Sequence, residues 1–401
     1  MAQSTQGIRD LYQKYVMPVY APDTVLVKGK GSYVWDSEGR RFLDFAMGIS
    51  VCNLGHCHPA IAEAVARQAQ QLVHVSNLYM NDVTPRLAQK LISFGMDGVV
   101  FFCNSGAEAN EGMIKFARKF GSDKGKYEII SMVDSFHGRT LATLAATGRA
   151  KYRKGFAPDV QGFVQVPYND IEAIRSAISE QTVAVMLEPV QGEGGILPAD
   201  PAYLAQVRQL CDEKGLLMLF DEVQCGMGRT GELFAYRAFG VEPDAVSMAK
   251  AIANGLPMGA FIVQRKHQNV LKVGEHASTF GGTPLVSSAA MAVLETIEKE
   301  NLLENCRKMG AYLQEGLKKI SAPYSFVKGV RGKGLMIGVV LNKSAAALRA
   351  AALKRGLIVL TAGESVLRLL PPLNLKQSEA DEALEILAQA LSDAAPEYEV
   401  K

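Results

Sequence analysis

The chain has 401 residues, 48% of them hydrophobic and 21% charged, with a net charge of +2. That balance is ordinary for a globular protein with one large and one smaller domain, and it implies no nucleic-acid or membrane partner. The amino-terminal stretch MAQSTQGIRD lacks the apolar core of a signal peptide, and no apolar run approaches the roughly eighteen residues needed to cross a bilayer, so a cytoplasmic protein is expected.

Short strand-like pieces at Gly31 to Asp36 and Arg41 to Phe45 flank a turn at Ser37-Glu38-Gly39. Cys52, His56, Cys57 and His58 form the one metal-like cluster, but adjacent ligands rarely converge on an ion and no second cluster completes a set. No metal is expected. The six cysteines, with no CxxC pair, read as free thiols. Pro59 suits the first position of a helix whose buried stripe is Ile61, Val65 and Leu72. From Val99 onward apolar runs alternate with helical patterns: Val99 to Cys103, Ile129 to Val133, Phe163 to Val166, Val183 to Leu187, Leu216 to Phe220, Ala245 to Met248 and Ala260 to Val263. This alternation predicts an α/β fold with a mostly parallel seven-stranded sheet. After Gly282 the pattern becomes α+β, with a helical stretch from about Val286 to Ile320, a run from Gly334 to Leu341, a helix at Ala345 to Lys354, short strands at Leu357 to Leu360 and Val366 to Leu370, and a last helix near Glu379 to Leu391. The expected organisation is a large domain at 51–285 and a smaller one at 286–401, with segment 1–50 packing on the latter.

Candidate chemistry gathers where the strands end. Leu216 to Phe220 delivers Asp221 and Glu222 at its carboxyl edge, where open α/β sheets bind ligands. Lys250 is a lone cation between Ser247-Met248-Ala249 and Ala251-Ile252-Ala253, a setting that desolvates an amine and favours its neutral form. Alone, the acid reads better as a loop cap and the lysine as one that reaches to water. Together they suit pyridoxal phosphate, whose aldehyde a lysine binds covalently and whose ring nitrogen a carboxylate keeps protonated. In FFCNSGAEANE, Ser105 and Glu108 have capping-box spacing; the same helix start, with Gly106 and Ala107 allowing close approach, also suits a phosphate. Phe136 is either core or a ring platform, and Arg139 has the planar fork that grips carboxylates. Ser278 and Thr279 read as a cap or turn. Arg368, flanked by leucines, needs a partner, and Glu193 in QGEGG lies on a loop whose glycines let it approach closely. Gly226, Gly228 and Gly231 match G-x-G-x-x-G, the alternative of an NAD(P)-dependent oxidoreductase, but five residues separate Phe220 from the first glycine where that motif wants a tight turn.

The stretches NSGAEANE, LEPVQGEGG, DEVQCGMGRTG and SMAKAIANGLPMGA resemble the class III (subgroup II) aminotransferases, and most closely their N-acetylornithine branch. The resemblance implies a fold type I transferase with Lys250 on the cofactor, Asp221 at the ring nitrogen, Phe136 and Val223 on opposite ring faces, and Gln224 at the phenolic oxygen. It places the cofactor phosphate at Ser105, Gly106 and Ala107, with Thr279 reaching it from the neighbouring subunit of a homodimer. Arg139 and Ser278 would meet substrate. Glu193 would neutralise Arg368 until a second substrate carboxylate displaces it, unless the two form a permanent salt bridge. A non-catalytic protein on this fold would be favoured by loss of Lys250 or Asp221; both are present. Ornithine δ-aminotransferases resemble the chain too, but usually carry an aromatic where Ile49 stands, and an apolar residue suits an acylated, neutral α-nitrogen. The expected substrates are N2-acetyl-L-ornithine and 2-oxoglutarate; succinylornithine, succinyldiaminopimelate, ornithine and 4-aminobutyrate are the open alternatives.

Overall fold

The computed structural model describes residues 4–399, so the first three residues of the amino-terminal stretch lie outside it. Its central sheet contains all seven expected runs: β1 (Gly98–Cys103), β2 (Glu128–Met132), β3 (Phe163–Val166), β4 (Thr182–Leu187), β5 (Leu217–Asp221), β6 (Ala245–Met248) and β7 (Gly259–Gln264). The strand order is β1-β7-β6-β5-β4-β2-β3. Only β7 runs against its neighbours β6 and β1; the other adjacent pairs are parallel. Helices cover both faces, so β4 and β5 are buried at every position, which is why their sequences are apolar runs rather than alternations. This arrangement turns the ends of β1, β2, β4, β5 and β6, and the start of the reversed β7, toward one edge.

Among the described residues three smaller sheets accompany the central one: an antiparallel pair, Val190–Gln191 with Leu197–Pro198, and two of four strands. In the first four-stranded sheet, Leu26–Lys30, Tyr33–Asp36 and Arg41–Asp44 form an antiparallel meander, and Leu357–Ile358 adds to Arg41–Asp44 in parallel. The second has the order Val327–Lys333, Met336–Leu341, Val366–Leu369, Leu360–Ala362. The run expected at Leu357 to Leu360 is therefore two strands, divided because its halves pair with different sheets.

Several other expectations need correction. The long helix is two, Pro284–Lys299 and Leu302–Ser321, broken where Asn301 adopts φ 51°, a left-handed conformation that asparagine tolerates. The helix at Pro59 ends at Ala69, so Leu72 lies beyond it and is exposed, whereas Ile61 and Ala64 are buried. Thr5–Tyr15, Leu26–Lys30, Thr84–Phe94 and Val327–Lys333 were not read from the sequence. Val327–Lys333 is an edge strand with three cations and two glycines, a composition that protects an edge and hides its period.

Candidate active site

A cleft of about 400 Å³ opens at the edge where the strands end. Its wall comprises residues after β1 (Ser105, Gly106, Ala107), after β2 (Phe136, Arg139), after β4 (Glu188, Glu193), around the end of β5 (Asp221, Val223, Gln224) and after β6 (Lys250).

Asp221 is 3% exposed and accepts from four directions. Val223 N donates to Oδ1 at 3.0 Å; Asn110 Nδ2 and His137 Nδ1 donate to Oδ2 at 2.7 and 2.8 Å; Ser247 Oγ lies 3.5 Å from Oδ1. Because a carboxylate only accepts, the His137 proton in this contact sits on Nδ1. His137 Nε2 is buried with no hydrogen-bond partner. Asn110 is itself fixed, donating to His137 O at 2.7 Å and accepting from Ser247 Oγ at 2.7 Å. The sequence reading missed Asn110 and His137. Their signal was a polar residue inside an apolar helix face and a histidine beside Phe136.

Lys250 follows β6 with φ 47°, a left-handed conformation that is strained for any side chain with a Cβ. Among the described residues no hydrogen bond or ion pair ties its Nζ. Burial lowers the pKa of its amine; Glu193 pulls the other way and Arg368 adds to the lowering. The amine is thus free and easier to deprotonate than an ordinary lysine.

The helix Gly106–Gly121 starts at this edge. Ser105 Oγ accepts from Glu108 N at 3.2 Å, as a cap should, but the expected reciprocal bond is displaced by one residue: Glu108 Oε2 takes Asn104 N at 2.6 Å rather than the N–H of Ser105. The N–H groups of Gly106 and Ala107 occupy the first turn, where no carbonyl stands a turn behind, and they line the cleft. A methyl on Gly106 would lie 2.6 Å from Val223 Cγ1, so glycine lets the Asp221 loop close on this helix start.

Phe136 is half-buried on the wall, and its N–H donates to Glu188 Oε1 at 3.0 Å. Glu188, another residue missed by the sequence reading, also takes Gly192 N at 3.0 Å; burial, then Asp221, pushes its carboxyl up to about 7. Arg139 is exposed at the rim. Behind the wall, Arg368 does not line the cleft itself; it is 3% exposed and donates from Nη1 to two wall residues, Glu193 Oε1 at 2.5 Å and Gln224 Oε1 at 3.0 Å, while its Nε is buried without a partner. Burial alone would raise the Glu193 pKa, but Arg368, Lys250 and Arg149 together hold it below the usual carboxylate range. The Glu193 backbone is pinned: Arg149 Nη2 and Gly363 N both donate to its carbonyl, at 2.5 and 2.8 Å.

Three residues named from the sequence do not line this chain's own cleft, although Thr279 was expected to reach that of a neighbouring subunit. Thr279 is exposed and absent from the wall of this cleft; Ser278 is half-buried, with its Oγ 3.3 Å from Asn104 Nδ2. Ile49 is 42% exposed, and Val51 lines the cleft in its stead. The cause is a left-handed turn at Met47–Ser50, with φ between 47° and 65°, capped by Asp44 Oδ1 on the N–H groups of Ala46 and Met47 and held by Arg229 Nε on Ser50 Oγ at 2.9 Å. Arg229 is fully buried, and its other donors reach the carbonyls of Leu335 and Pro371 and the side chain of Asn53. The glycine-rich loop that matched the dinucleotide motif is packed inward: methyls on Gly228 and Gly231 would meet Leu373 and Arg307 at 2.7 and 2.6 Å, and no α-helix opens from it. It offers no seat for a pyrophosphate.

Residues 16–391 match the family described as Aminotransferase class-III. The chain belongs to the class-III aminotransferases. It is 49% identical over 386 residues to the acetylornithine aminotransferase of Caldanaerobacter subterraneus subsp. tengcongensis, covering 95% of this chain and 98% of that one. Among solved structures, the ornithine aminotransferase of Toxoplasma gondii, which has partial occupancy of pyridoxal phosphate at its active site, aligns with a TM-score of 0.94 and 30% identity over 99% of this chain and 96% of that one. The N-acetylornithine aminotransferase of Stenotrophomonas maltophilia aligns with a TM-score of 0.83 and 36% identity over 96% and 98%. As a class-III aminotransferase the protein is a transaminase that uses pyridoxal 5'-phosphate. The donor set fits that cofactor: a free amine, a buried carboxylate fixed by neutral donors, a helix start with open N–H groups, and an aromatic on the wall between them.

Proposed function

We propose that this enzyme moves the terminal amine of N2-acetyl-L-ornithine to 2-oxoglutarate, giving N-acetylglutamate 5-semialdehyde and glutamate, a step of arginine biosynthesis. The observation that carries this reading is the pair of arginines, Arg139 at the rim and Arg368 behind the wall residues Glu193 and Gln224, only one of which is neutralised by a carboxylate. Such a cleft suits two substrates that differ by one carboxylate. The acylated diamine presents one, to Arg139, while Glu193 keeps Arg368 neutral. Glutamate and 2-oxoglutarate present two, and the second replaces Glu193. Because the Glu193 carbonyl is pinned by Arg149 and Gly363, the exchange is a rotation of the side chain and not a movement of the loop. The likeness to acetylornithine aminotransferases over nearly the whole chain supports the same choice.

In this reading Ser105, Gly106 and Ala107 would hold the cofactor phosphate, Phe136 and Val223 would pack on its ring, Gln224 would serve its phenolic oxygen and Asp221 its ring nitrogen. Gln224 Oε1 is already taken by Arg368, which leaves its amide N–H groups for that oxygen. Bound pyridoxal phosphate supplies the electron sink that makes the substrate C–H acidic. Lys250 would hold the cofactor through its amine, and that amine, once free, would be the base that carries the proton at the substrate carbon. Burial, by lowering the pKa of Lys250, makes the neutral base available.

Thr279 meets the phosphate of a second subunit in this proposal, making the homodimer the active unit. Leu78 and Met80, 87% and 101% exposed, and the exposed Phe280 beside Thr279 give this side of the chain an apolar surface suited to a second copy. Segment 1–50 and residues 286–401 form the small domain around residues 51–285, a division supported by the pairing of Arg41–Asp44 with Leu357–Ile358. Six free cysteines and metabolite substrates suit the cytoplasm. Among the described residues no helix is long and apolar enough to cross a membrane.

Purified holoenzyme assayed with 2-oxoglutarate against acetylornithine, succinylornithine, ornithine and 4-aminobutyrate should show its highest kcat/KM with acetylornithine; a preference for an amine donor lacking the acyl group would overturn the assignment. Mixed Lys250→Ala and Thr279→Ala subunits should recover activity that neither has alone. No recovery despite demonstrated subunit exchange would refute the shared site.

A further inference from the structure

Arg139 has no ion pair or hydrogen bond to its guanidinium among the described residues, yet it is not loose. Its guanidinium carbon lies 3.8 Å from the ring centroid of Tyr152, and 5.6 Å from that of Phe136. Tyr152 stands on the short helix Ala150–Arg153 and is half-buried. Its ring also meets Phe136 edge-on, with centroids 6.1 Å apart and planes at 90°. One side chain therefore touches both the aromatic on the cleft wall and the arginine at its rim. A planar guanidinium stacked on a ring is held by its face, through the attraction of a cation to the ring quadrupole, so its N–H edges stay free to bind a carboxylate. An acidic partner would fix the arginine equally well but would occupy those edges. Lys151 Nζ is 5.3 Å from the same ring and the Arg149 guanidinium carbon 5.9 Å, the latter paired with Asp134 at 3.7 Å. Gly138, with φ 145°, brings the chain before Arg139 so close that a methyl there would lie 2.5 Å from Thr143 Oγ1.

We infer that Tyr152 is a positioning residue for substrate recognition, holding Arg139 by its face so that its edge is presented to the single carboxylate of an N-acylated amino acid. The inference rests on the proposed role of Arg139. Its selectivity consequence is that Tyr152 matters for carboxylate-bearing substrates and not for plain amines.

The test uses the holoenzyme and the variants Tyr152→Leu, Tyr152→Phe, Arg139→Ala and the Arg139→Ala, Tyr152→Leu double. The binding probe is N-acetyl-L-norvaline, which has the carboxylate and the acyl group but no amine to react, measured by calorimetry. The kinetic probes are single half-reactions with acetylornithine and with pentylamine. Tyr152→Leu should weaken N-acetyl-L-norvaline binding and slow the acetylornithine half-reaction by about tenfold, within the range of a partly desolvated cation–ring contact. The pentylamine half-reaction and the cofactor absorption should stay as in the parent, Tyr152→Phe should restore the parent affinity, and Tyr152→Leu should add nothing in the Arg139→Ala background. Equal slowing of acetylornithine and pentylamine would make Tyr152 a support of Phe136 or of the fold, and the inference fails. An undiminished affinity in Tyr152→Leu overturns it as well. If Arg139→Ala binds N-acetyl-L-norvaline as the parent does, the role of Arg139 itself is wrong and the role of Tyr152 falls with it; if Arg139→Ala loses binding and Tyr152→Leu does not, only the latter falls.

Discussion

Asp221 and Arg368 are equally buried, each 3% exposed, yet the two charges are held in opposite ways. Asp221 is gripped by a backbone N–H and by Asn110 and His137, and Asn110 is gripped in turn by Ser247. Those groups come from strand ends and a helix within one sheet, and none can leave without emptying a buried site. Arg368 comes from another sheet and is neutralised by a single flexible carboxylate, with its Nε unpaired. A buried charge with an unfilled donor is costly unless something else fills it, and a substrate carboxylate is what the cleft admits. On the proposed function, the difference separates a charge that stays constant through both half-reactions from one that changes partner between them.

Substitutions on the constant side should harm both half-reactions alike. In the roles proposed for it, Lys250→Ala removes the cofactor anchor and the proton carrier together, so both half-reactions should fall by at least about 10⁴-fold, the scale of losing a positioned acid–base group. Cofactor should still be retained non-covalently; borohydride trapping followed by peptide mapping in the parent should label Lys250, and a label elsewhere would end the assignment. Asp221→Asn keeps the shape but loses the negative partner of the ring nitrogen, so both half-reactions should slow by roughly 10²- to 10³-fold with cofactor bound. Near-parental turnover in that variant would show that the carboxylate does not set the ring's charge.

On the exchanging side the two half-reactions should part. Arg368→Ala should slow the glutamate half-reaction by about 30-fold or more, the cost of losing one partner of a buried charge pair, and the acetylornithine one far less. Glu193→Ala should speed the reaction of glutamate and reduce selectivity for the acylated diamine. Equal losses in both half-reactions for both variants would make the pair a static bridge. The same pair acts on Lys250, since Glu193 raises and Arg368 lowers the pKa of its amine. In cofactor-free protein, the pH profile for acylation of Lys250 should therefore move to lower pH in Glu193→Ala and to higher pH in Arg368→Ala. A common direction of shift would mean that neither charge is felt at the amine.

The constant side was also the more legible one. Asp221 and Lys250 stand out because a charge ends a run of residues that a doubly buried strand must have. Asn110 and His137 do not, because their meaning lies in reaching Asp221 from 111 and 84 residues away, a relation that no local pattern carries. The seven central strands could be read from their apolar runs, while Val327–Lys333, with one partner and a charged edge, could not. The resemblance of its loop put Ile49 beside the substrate's α-nitrogen, but the left-handed turn at Met47–Ser50 leaves it exposed and brings Val51 to the cleft. Nothing local announces such a turn. Methionine and isoleucine disfavour it by about 1–2 kcal/mol each, and it persists through bonds from Asp44 and from a buried arginine far along the chain.

The smallest expected effect concerns how tightly the constant side is fitted. Gly106 begins its helix with ordinary geometry, so alanine costs nothing in backbone strain; the whole penalty is the methyl group, which would sit 2.6 and 3.0 Å from the two γ-carbons of Val223. Valine is β-branched and stiff about χ1, so it cannot simply swing aside, and the loop carrying Asp221 must retreat from the helix start. That widens the space between the phosphate and ring sites without altering either set of donors. Gly106→Ala should therefore weaken cofactor retention by about fivefold, near 1 kcal/mol and at the low end for an overpacked contact. Both half-reactions should slow together once cofactor is saturating. Val223→Ala in the same chain removes the two colliding carbons and should recover part of the affinity, although Val223→Ala alone should lower it by exposing one face of the ring. A Gly106→Ala variant that lost only the glutamate half-reaction would show that this contact belongs to the exchanging side; failure of Val223→Ala to relieve it would show that the helix start tolerates the methyl by some other movement.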